Sequence, residues 1–588
     1  MEMAKQYVFD IESLKHDDLV TFMTLDRQQI AIYHKGQAQL PAGDYQLLPD
    51  AQALNDFVKD AVLISFNGHQ YDDYVLAPML ADATPEDVRA VSDKIIHSHG
   101  QTFRLHLPRI ANIDLDTHAD DHRWSLKSLE SQMGLNIEET AIDFNREAPL
   151  TADELAAEVH YNINDVKATA AVYAMRRPNY FDANAALIKA FKLPRTAYNW
   201  GQGALVRNVL VPAKEPAIPK WPAYETHYCG EQMLNRLPEI VRTAYQAYFN
   251  GAAFPKVIPV ELGRCELDFS LGGLHGVTAR SQYQDVQRVD IQSMYPTLII
   301  QTNALGDAAT QRYAAIYKQR LQLKATNPND PLNTALKLVL NRTSGLMDAR
   351  FEQKVANPLG MRSLRIIGQA VTYELAAELY HAGYQLLNVN TDGLYFTGAG
   401  NGTAQLLIAN WEQRYHFTTA QQHYQRLIQK DVNNYFTLDD DQQIAVHGGD
   451  VGRYFGFNYE RASQLPAIID RAIVDHLLFD QPLETILSER RSELFWFAFN
   501  VKVAKNYQFL TDADGTHYQK VDRLFAVTDG KLYRQENTDG KSAKIRSLPE
   551  SAAIENANLE SVAPNTLALD LPTYQALITK HLKGWQKN

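Results

Sequence analysis

Apolar and polar positions alternate with a period of two through the start of the chain. Tyr7 to Ser13 (YVFDIES), Val20 to Leu25 (VTFMTL) and Gln29 to His34 (QIAIYH) all read as strands. Two more apolar runs, residues 61–66 (AVLISF) and 110–115 (IANIDL), also predict strands. The period then changes. Thr151 followed by Glu154 three residues later is a capping-box signature, and the pattern beyond it predicts a helix that stops before Pro178. Strands followed by helices predict an α/β domain over residues 1–180. A connector over 181–229 contains the proline-rich stretch from Val211 to Pro222 (VPAKEPAIPKWP). The second body divides into 230–310, a strongly helical 311–365, then 366–455 and a C-terminal region 456–588. Asn327-Pro328-Asn329-Asp330-Pro331 interrupts the helical pattern, so a helical hairpin is expected there. Beyond residue 455 a helical stretch comes first, then a strand-rich polar tail from about residue 500.

Composition narrows the classes. The chain has 588 residues, 45% hydrophobic and 21% charged, which is globular and long enough for several domains. With only two cysteines, Cys229 and Cys265, no disulfide framework is needed, and a reducing compartment is the simpler expectation. The N-terminus runs at once into a strand, so no signal peptide is expected, and no apolar run approaches 18 residues. The expected location is the cytoplasm.

The net charge of −12 argues against nucleic acid until its distribution is read. Residues 1–175 hold 29 acids against 13 Lys and Arg, a net of −16, which leaves +4 for the remainder. Within that remainder, residues 312–365 carry ten Lys and Arg against three acids. Such a patch fits a phosphate-binding surface as well as a solvated helix face.

A first set of chemistry-bearing residues lies in the α/β domain. Asp10 and Glu12 are two apart on a strand and share a face. Asn67-Gly68-His69-Gln70-Tyr71-Asp72 places a carboxylate after an aromatic, with Asp73 as an alternative. Tyr161 and Asp165 are four apart on the capped helix. Ser125-Leu126-Lys127-Ser128-Leu129 lies between the second and third pieces. In this order the pieces resemble the proofreading 3′–5′ exonucleases, which use four carboxylates and one tyrosine on a ribonuclease H-like fold. The resemblance implies that Asp10, Glu12, Asp72 and Asp165 ligate two Mg²⁺ or Mn²⁺ ions. It implies that Tyr161 orients the attacking water. Asn67 and Tyr71 would hold the frayed 3′ end, Tyr71 by stacking.

A second set lies in the second body. Asp290-Ile291-Gln292-Ser293-Met294-Tyr295-Pro296 ends an apolar run with an aspartate and a tight turn, and Asp392 follows in Asn390-Thr391-Asp392-Gly393. Lys337 and Asn341 are four apart in a helix that continues to Ser344-Gly345. Leu271-Gly272-Gly273-Leu274-His275-Gly276 precedes the first aspartate, and Lys505-Asn506-Tyr507 comes late. Together the two sets resemble the family B DNA polymerases, in size and motif form the smaller bacteriophage enzymes. The resemblance implies a right-hand polymerase: a palm with an antiparallel sheet, helical-hairpin fingers over 311–365, and a thumb.

The family pattern also implies roles. Asp290 and Asp392 would hold two Mg²⁺ ions for in-line phosphoryl transfer. The backbone at Ser293, Met294 and Tyr295 would cradle a triphosphate, and Tyr295 would exclude a 2′-hydroxyl. Lys337 and Asn341 would face the triphosphate, with Lys318 and Lys324 preferred as helpers over Arg312 and Arg320. Gly272 and Gly273 match a glycine-rich linker along the template path, and Lys505 and Tyr507 match a primer grip. The implied partners are primer–template DNA and dNTPs, with a processivity factor, helicase or single-strand-binding protein as helpers.

Two positions depart from the family pattern. Asn390 stands where most members have aspartate, and Ser344 where they have tyrosine. Both departures support an alternative, a 3′–5′ exonuclease whose polymerase half only holds DNA. A non-catalytic replication scaffold is disfavoured, because clustered carboxylates are costly without cations. Asp290 to Lys337 and Gly345 to Asn390 span 47 and 45 residues, which leaves no room for the two large insertions of protein-primed phage relatives. Ordinary primers and poor strand displacement are therefore expected. His97, His99, His106, His118 and His122 are close in sequence, but without an accompanying cysteine they read as a surface loop, not a zinc site.

Overall fold

The computed structural model describes residues 5–98, 110–116, 124–221, 231–398 and 403–586. Cys229, His99, His106, His118 and His122 lie outside the described residues. The chain divides into two compact units, and the fold is mixed α/β. The first unit comprises Met1–Leu205, Ala462–Pro466 and Ser492–Asp570. The second comprises Val206–Arg461, Ala467–Arg491 and Leu571–Asn588. The C-terminal block 456–588 is thus shared between the units rather than forming one region.

The first unit is built on a six-stranded sheet: β1 (Gln6–Ser13), β2 (Asp18–Thr24), β3 (Ile30–Lys35), β4 (Gln46–Leu48), β5 (Val62–Ser65) and β6 (Ala111–Asp114). The order is β4-β3-β2-β1-β5-β6. β1, β2 and β3 are antiparallel, whereas β5 runs parallel to β1 and β6 parallel to β5. Phe9 and Ile11 enter the core with Phe22, Leu63 and Val75. The alternation therefore sends Asp10 and Glu12 to the opposite face. The helix Ala152–Arg176 packs against β1 and β2. Its capping box forms as the sequence predicts: the Thr151 hydroxyl accepts from the Glu154 N–H, and Glu154 accepts from the Thr151 N–H.

Pro178 does not end the helical course. The chain continues through a widened π turn, Arg177–Phe181, into the helix Asp182–Ala190. Pro178 lacks the N–H that would continue the ladder, and the widened turn lies where the ladder is interrupted. The late block of this unit forms two three-stranded sheets. One contains β16 (Phe499–Lys502), β18 (Val521–Lys531) and β21 (Ala552–Ile554). The other contains β17 (Phe509–Thr511), β19 (Arg534–Glu536) and β20 (Ser542–Lys544).

The second unit is built on a nine-stranded antiparallel sheet of order β15-β14-β13-β10-β12-β11-β9-β8-β7. Its strands are β7 (Ile258–Leu262), β8 (Cys265–Phe269), β9 (Leu274–Thr278), β10 (Gln282–Ile291), β11 (Gln385–Asn390), β12 (Gly393–Thr397), β13 (Thr419–Gln429), β14 (Tyr435–Asp439) and β15 (Ile444–His447). The predicted helical hairpin is present as Asp307–Thr326 and Pro331–Met347, with Asp330 capping the second helix. The long helix Pro358–His381 is buried along much of its length. No described helix is long and apolar enough to cross a membrane.

Candidate active sites

Strand β1 and the helix Ala152–Arg176 bring the first carboxylates together. Oxygens of Asp10, Glu12 and Asp165 lie within 4.8 Å of one another. Asn162, fully buried on the same helix, donates to Asp10 Oδ2 at 2.8 Å. Burial pushes the Asp10 carboxyl up to about 8, with Asp165 adding repulsion. Burial and the neighbouring Asp10 also hold Glu12 well above the usual carboxylate range.

Asp72 is held up by burial and then by Asp10, so its charge acts on the same centre. Asp73 faces elsewhere. It accepts from Asn112 Nδ2 at 2.7 Å and lies 3.8 Å from His69 Nε2. That partition favours Asp72 over Asp73 as the fourth carboxylate. The turn that delivers Asp72 needs Gly68, since a Cβ there would stand 2.0 Å from Ser65 Oγ. Asn67 takes a left-handed conformation at φ 65°, and its N–H donates to Asp114 Oδ1 at 2.8 Å. Tyr71 packs against the hydrophobic core, and its hydroxyl meets Ser92 Oγ at 2.7 Å. That placement leaves its ring little free face for stacking.

Among the described residues, the cation paired with these carboxylates is Lys127. Its ammonium lies 2.5 Å from Asp165 Oδ1, 3.2 Å from Glu130 Oε1 and 4.8 Å from the centre of the Tyr161 ring. Burial, with Asp165 next, drives the Tyr161 phenol far above its ordinary range, so it stays protonated. One lysine does not balance the three clustered carboxylates Asp10, Glu12 and Asp165, and hard oxygen donors so crowded fit a divalent cation.

In the second unit the sheet register joins the other two aspartates. Asp290 lies opposite Gly393 across β10 and β12, and the Ile291 N–H donates to the Asp392 carbonyl at 2.7 Å. Burial raises Asp392 to about 6, with Asp290 adding to the shift. Asp290 accepts from Arg288 Nη2 at 2.6 Å. Ser293 turns the chain at φ 53° into the helix Met294–Gln301. Met294 is buried beneath Gly368, where a Cβ would approach the Met294 methyl at 3.0 Å. Burial pushes Tyr295 up to about 12, with Arg365 lowering it and Asp392 raising it.

Asn390 is engaged in a way that an aspartate could not match. Its Nδ2 donates to Val432 O and to Asn433 Oδ1, each at 3.2 Å. On the helical hairpin, Lys337 and Asn341 are both exposed on one face, and Gly345 opens onto free space. Lys318 and Lys324 are also exposed. Arg312, by contrast, pairs with Glu215 at 2.7 Å and donates to the Leu210 carbonyl, and Arg320 is half-buried.

Gly272 and Gly273 form the hairpin turn between β8 and β9, closed on Ser270. Both flanking strands belong to the second unit. Gly273 lies against Thr391, where a Cβ would be 3.4 Å from the hydroxyl. Lys505 and Tyr507 lie on a turn between β16 and β17, in the first unit.

Lys127, Glu130, Asn162 and Arg288 complete these centres, yet sequence reasoning gave them no role. The available signal was weak: Lys127 falls inside the Ser125–Leu129 motif, and Asn162 adjoins Tyr161.

No protein-family model matches the chain, and no curated protein matches it. Among solved structures, the family B DNA polymerase from the hyperthermophilic archaeon Pyrobaculum calidifontis is similar over 99% of this chain and 78% of that one. The identity is 13% and the TM-score 0.45.

Proposed function

We propose that the chain is a DNA-directed DNA polymerase of the family B type that carries its own 3′–5′ proofreading exonuclease. The observation that carries this reading is the register of the large sheet. It brings Asp290, near the end of β10, against the β11–β12 turn that carries Asp392, whose carbonyl accepts from the Ile291 N–H at 2.7 Å. A separate cluster of Asp10, Glu12 and Asp165 supports the second activity. The strand order of the first sheet, three antiparallel strands followed by parallel β5 and β6, is consistent with a ribonuclease H-like domain.

In synthesis, Asp290 and Asp392 would hold the divalent ions, which when bound would lower the pKa of the primer 3′-hydroxyl and neutralise charge on the departing pyrophosphate. Backbone N–H groups at Ser293, Met294 and Tyr295 receive the triphosphate. Lys337, helped by Lys318 and Lys324, stabilises charge on the leaving group, with Asn341 on the same face. The Tyr295 ring excludes a 2′-hydroxyl. Gly272 and Gly273 give DNA close access to backbone, and Lys505 with Tyr507 grips the primer.

In editing, Asp10, Glu12, Asp72 and Asp165 hold the ions, and the protonated Tyr161 orients a water. Asn67 holds the frayed end. Mg²⁺ is the expected metal, with Mn²⁺ able to replace it. A phage genome in a host cytoplasm is the setting that fits, with a processivity factor, helicase or single-strand-binding protein as partner.

The test is extension of a 5′-labelled primer with Mg²⁺, with and without dNTPs, for wild type, Asp10→Ala and Asp290→Ala. Extension lost only in Asp290→Ala, and shortening lost only in Asp10→Ala, is the expected result. Losses of roughly 10²-fold or more are expected for a charge-stabilising group. Shortening without extension under any condition favours the second reading, an exonuclease with a DNA-holding polymerase half. The asparagine at position 390 is the observation behind that reading.

A further inference from the structure

The helix that carries Lys127, Leu126–Met133, is only eight residues long and ends at Gly134 in a left-handed conformation. Two turns of helix do not hold a lysine against buried carboxylates by themselves. The residues that fix it come from the far end of the chain, within the same compact unit.

Arg523, on β18, is fully buried. Its guanidinium donates to five backbone carbonyls. Nη2 reaches Glu130 O at 3.2 Å and Leu135 O at 2.6 Å, and Nε reaches Ser131 O at 3.0 Å. Nη1 reaches Ala557 O at 2.9 Å and Glu555 O at 3.4 Å. Three of these acceptors are in or just after the Lys127 helix, and two belong to the segment after β21. The Glu130 and Ser131 carbonyls already accept from the Leu135 and Gly134 N–H groups, so the guanidinium takes a further lone pair on each, and a cation at a helix C-terminus also complements the helix dipole.

The same region adds more ties. Ser131 Oγ donates to Asn500 Oδ1 at 2.8 Å, and Lys502 Nζ donates to Ser125 Oγ at 3.2 Å. The Ile137 N–H donates to Asn556 O, and the Leu559 N–H to Gly134 O, each at 2.9 Å. Lys127 stands between two acidic side chains, Asp165 at 2.5 Å and Glu130 at 3.2 Å, and the clamped helix carries both Lys127 and Glu130.

We propose that Arg523 is a positioning residue of the editing centre: it clamps the Leu126–Met133 helix so that Lys127 stays on Asp165. This deepens the exonuclease reading above and rests on it. Its consequence is that the editing centre is assembled from both ends of the chain. The block Ser492–Asp570 then serves the nuclease through Arg523 as well as carrying Lys505 and Tyr507.

The test uses the full chain and a single-stranded 5′-labelled oligonucleotide with Mg²⁺. It compares Arg523→Gln and Arg523→Lys, each alone and in a Lys127→Met background, with Asp10→Ala as the nuclease control. Arg523→Gln is expected to lower the single-turnover shortening rate about 10- to 100-fold, the range for a residue that orients a ligand. KM for the oligonucleotide and the rate of primer extension should stay within twofold. Arg523→Lys keeps the charge but not the fork of donors, and should recover part of the rate. In the Lys127→Met background neither change should lower the rate further.

A full additional loss in that background would overturn the proposal, and so would shortening by Arg523→Gln at the wild-type rate. If Arg523→Gln does not fold, Arg523→Lys decides by the same comparison. Shortening that survives Asp10→Ala would instead overturn the exonuclease reading itself.

Discussion

A single amide at position 390 changes what the segment Asn390–Gly393 can do. Asn390 donates to a main-chain carbonyl, Val432 O, which has no hydrogen to offer in return. An aspartate at this position would press a carboxylate against that oxygen. Asn390→Asp is therefore expected to slow extension, although it restores the commoner motif. A misplaced partner of this kind costs about 1–3 kcal/mol. A Mg²⁺ titration of primer extension checks this; faster extension or a lower Mg²⁺ requirement in the variant would count against it.

Asp522 offers a second test at the same scale. It is buried, and only its Oδ1 has a partner, Asn556 Nδ2 at 2.8 Å. Burial raises it from 3.8 to about 7. A carboxyl raised in the folded state keeps its proton there after the unfolded chain has released it. Stability from this group is therefore full below pH 3.8 and falls as pH rises toward 7. Asp522→Asn should raise the thermal midpoint at pH 8 by about 2 °C or more, with the gap closing near pH 4. An equal shift at both pH values would refute this assignment.

Among the elements, the helix Ala152–Arg176 carries the most site chemistry, because Tyr161, Asn162 and Asp165 all project from it. Its start is set by the Thr151 capping box. Thr151→Ala is expected to lower stability by about 1 kcal/mol. Chemical denaturation measures that loss, and the shortening rate below the transition should be unchanged. The helix was legible in sequence because a cap and a 3.6 period agree over 25 residues. Its continuation past Pro178 was not, because a π turn answers to packing and not to local preference. The hairpin Asp307–Thr326 and Pro331–Met347 was legible for a similar reason, a proline-bearing break between two helical runs. Which of its cations face solvent was not, since Arg312 and Lys318 look alike until Glu215 is seen beside one of them.

For the whole molecule, the spans between Asp290, Lys337 and Asn390 set a limit on the proposed activity. The helix Met294–Gln301, the helical hairpin and the helix Pro358–His381 take up nearly all of residues 294–381. No segment remains there for an insertion that would open a downstream duplex. Extension on a primed template is expected to stall at a downstream duplex unless a helper is added. Long unaided displacement products on a gapped substrate would contradict this. The sequence by itself determined the strands and helices with strong periodicity. It also marked the carboxylates as sets, because i, i+2 and i, i+4 spacings fix a shared face whatever the surroundings. Tertiary structure alone decided which distant residues complete each centre. Lys127 reached Asp165, Asn390 took the turn at Val432, and Arg523 closed on the Lys127 helix. Those contacts join segments tens to hundreds of residues apart. No local pattern encodes them, because what selects them is the cost of leaving a buried polar group without a partner.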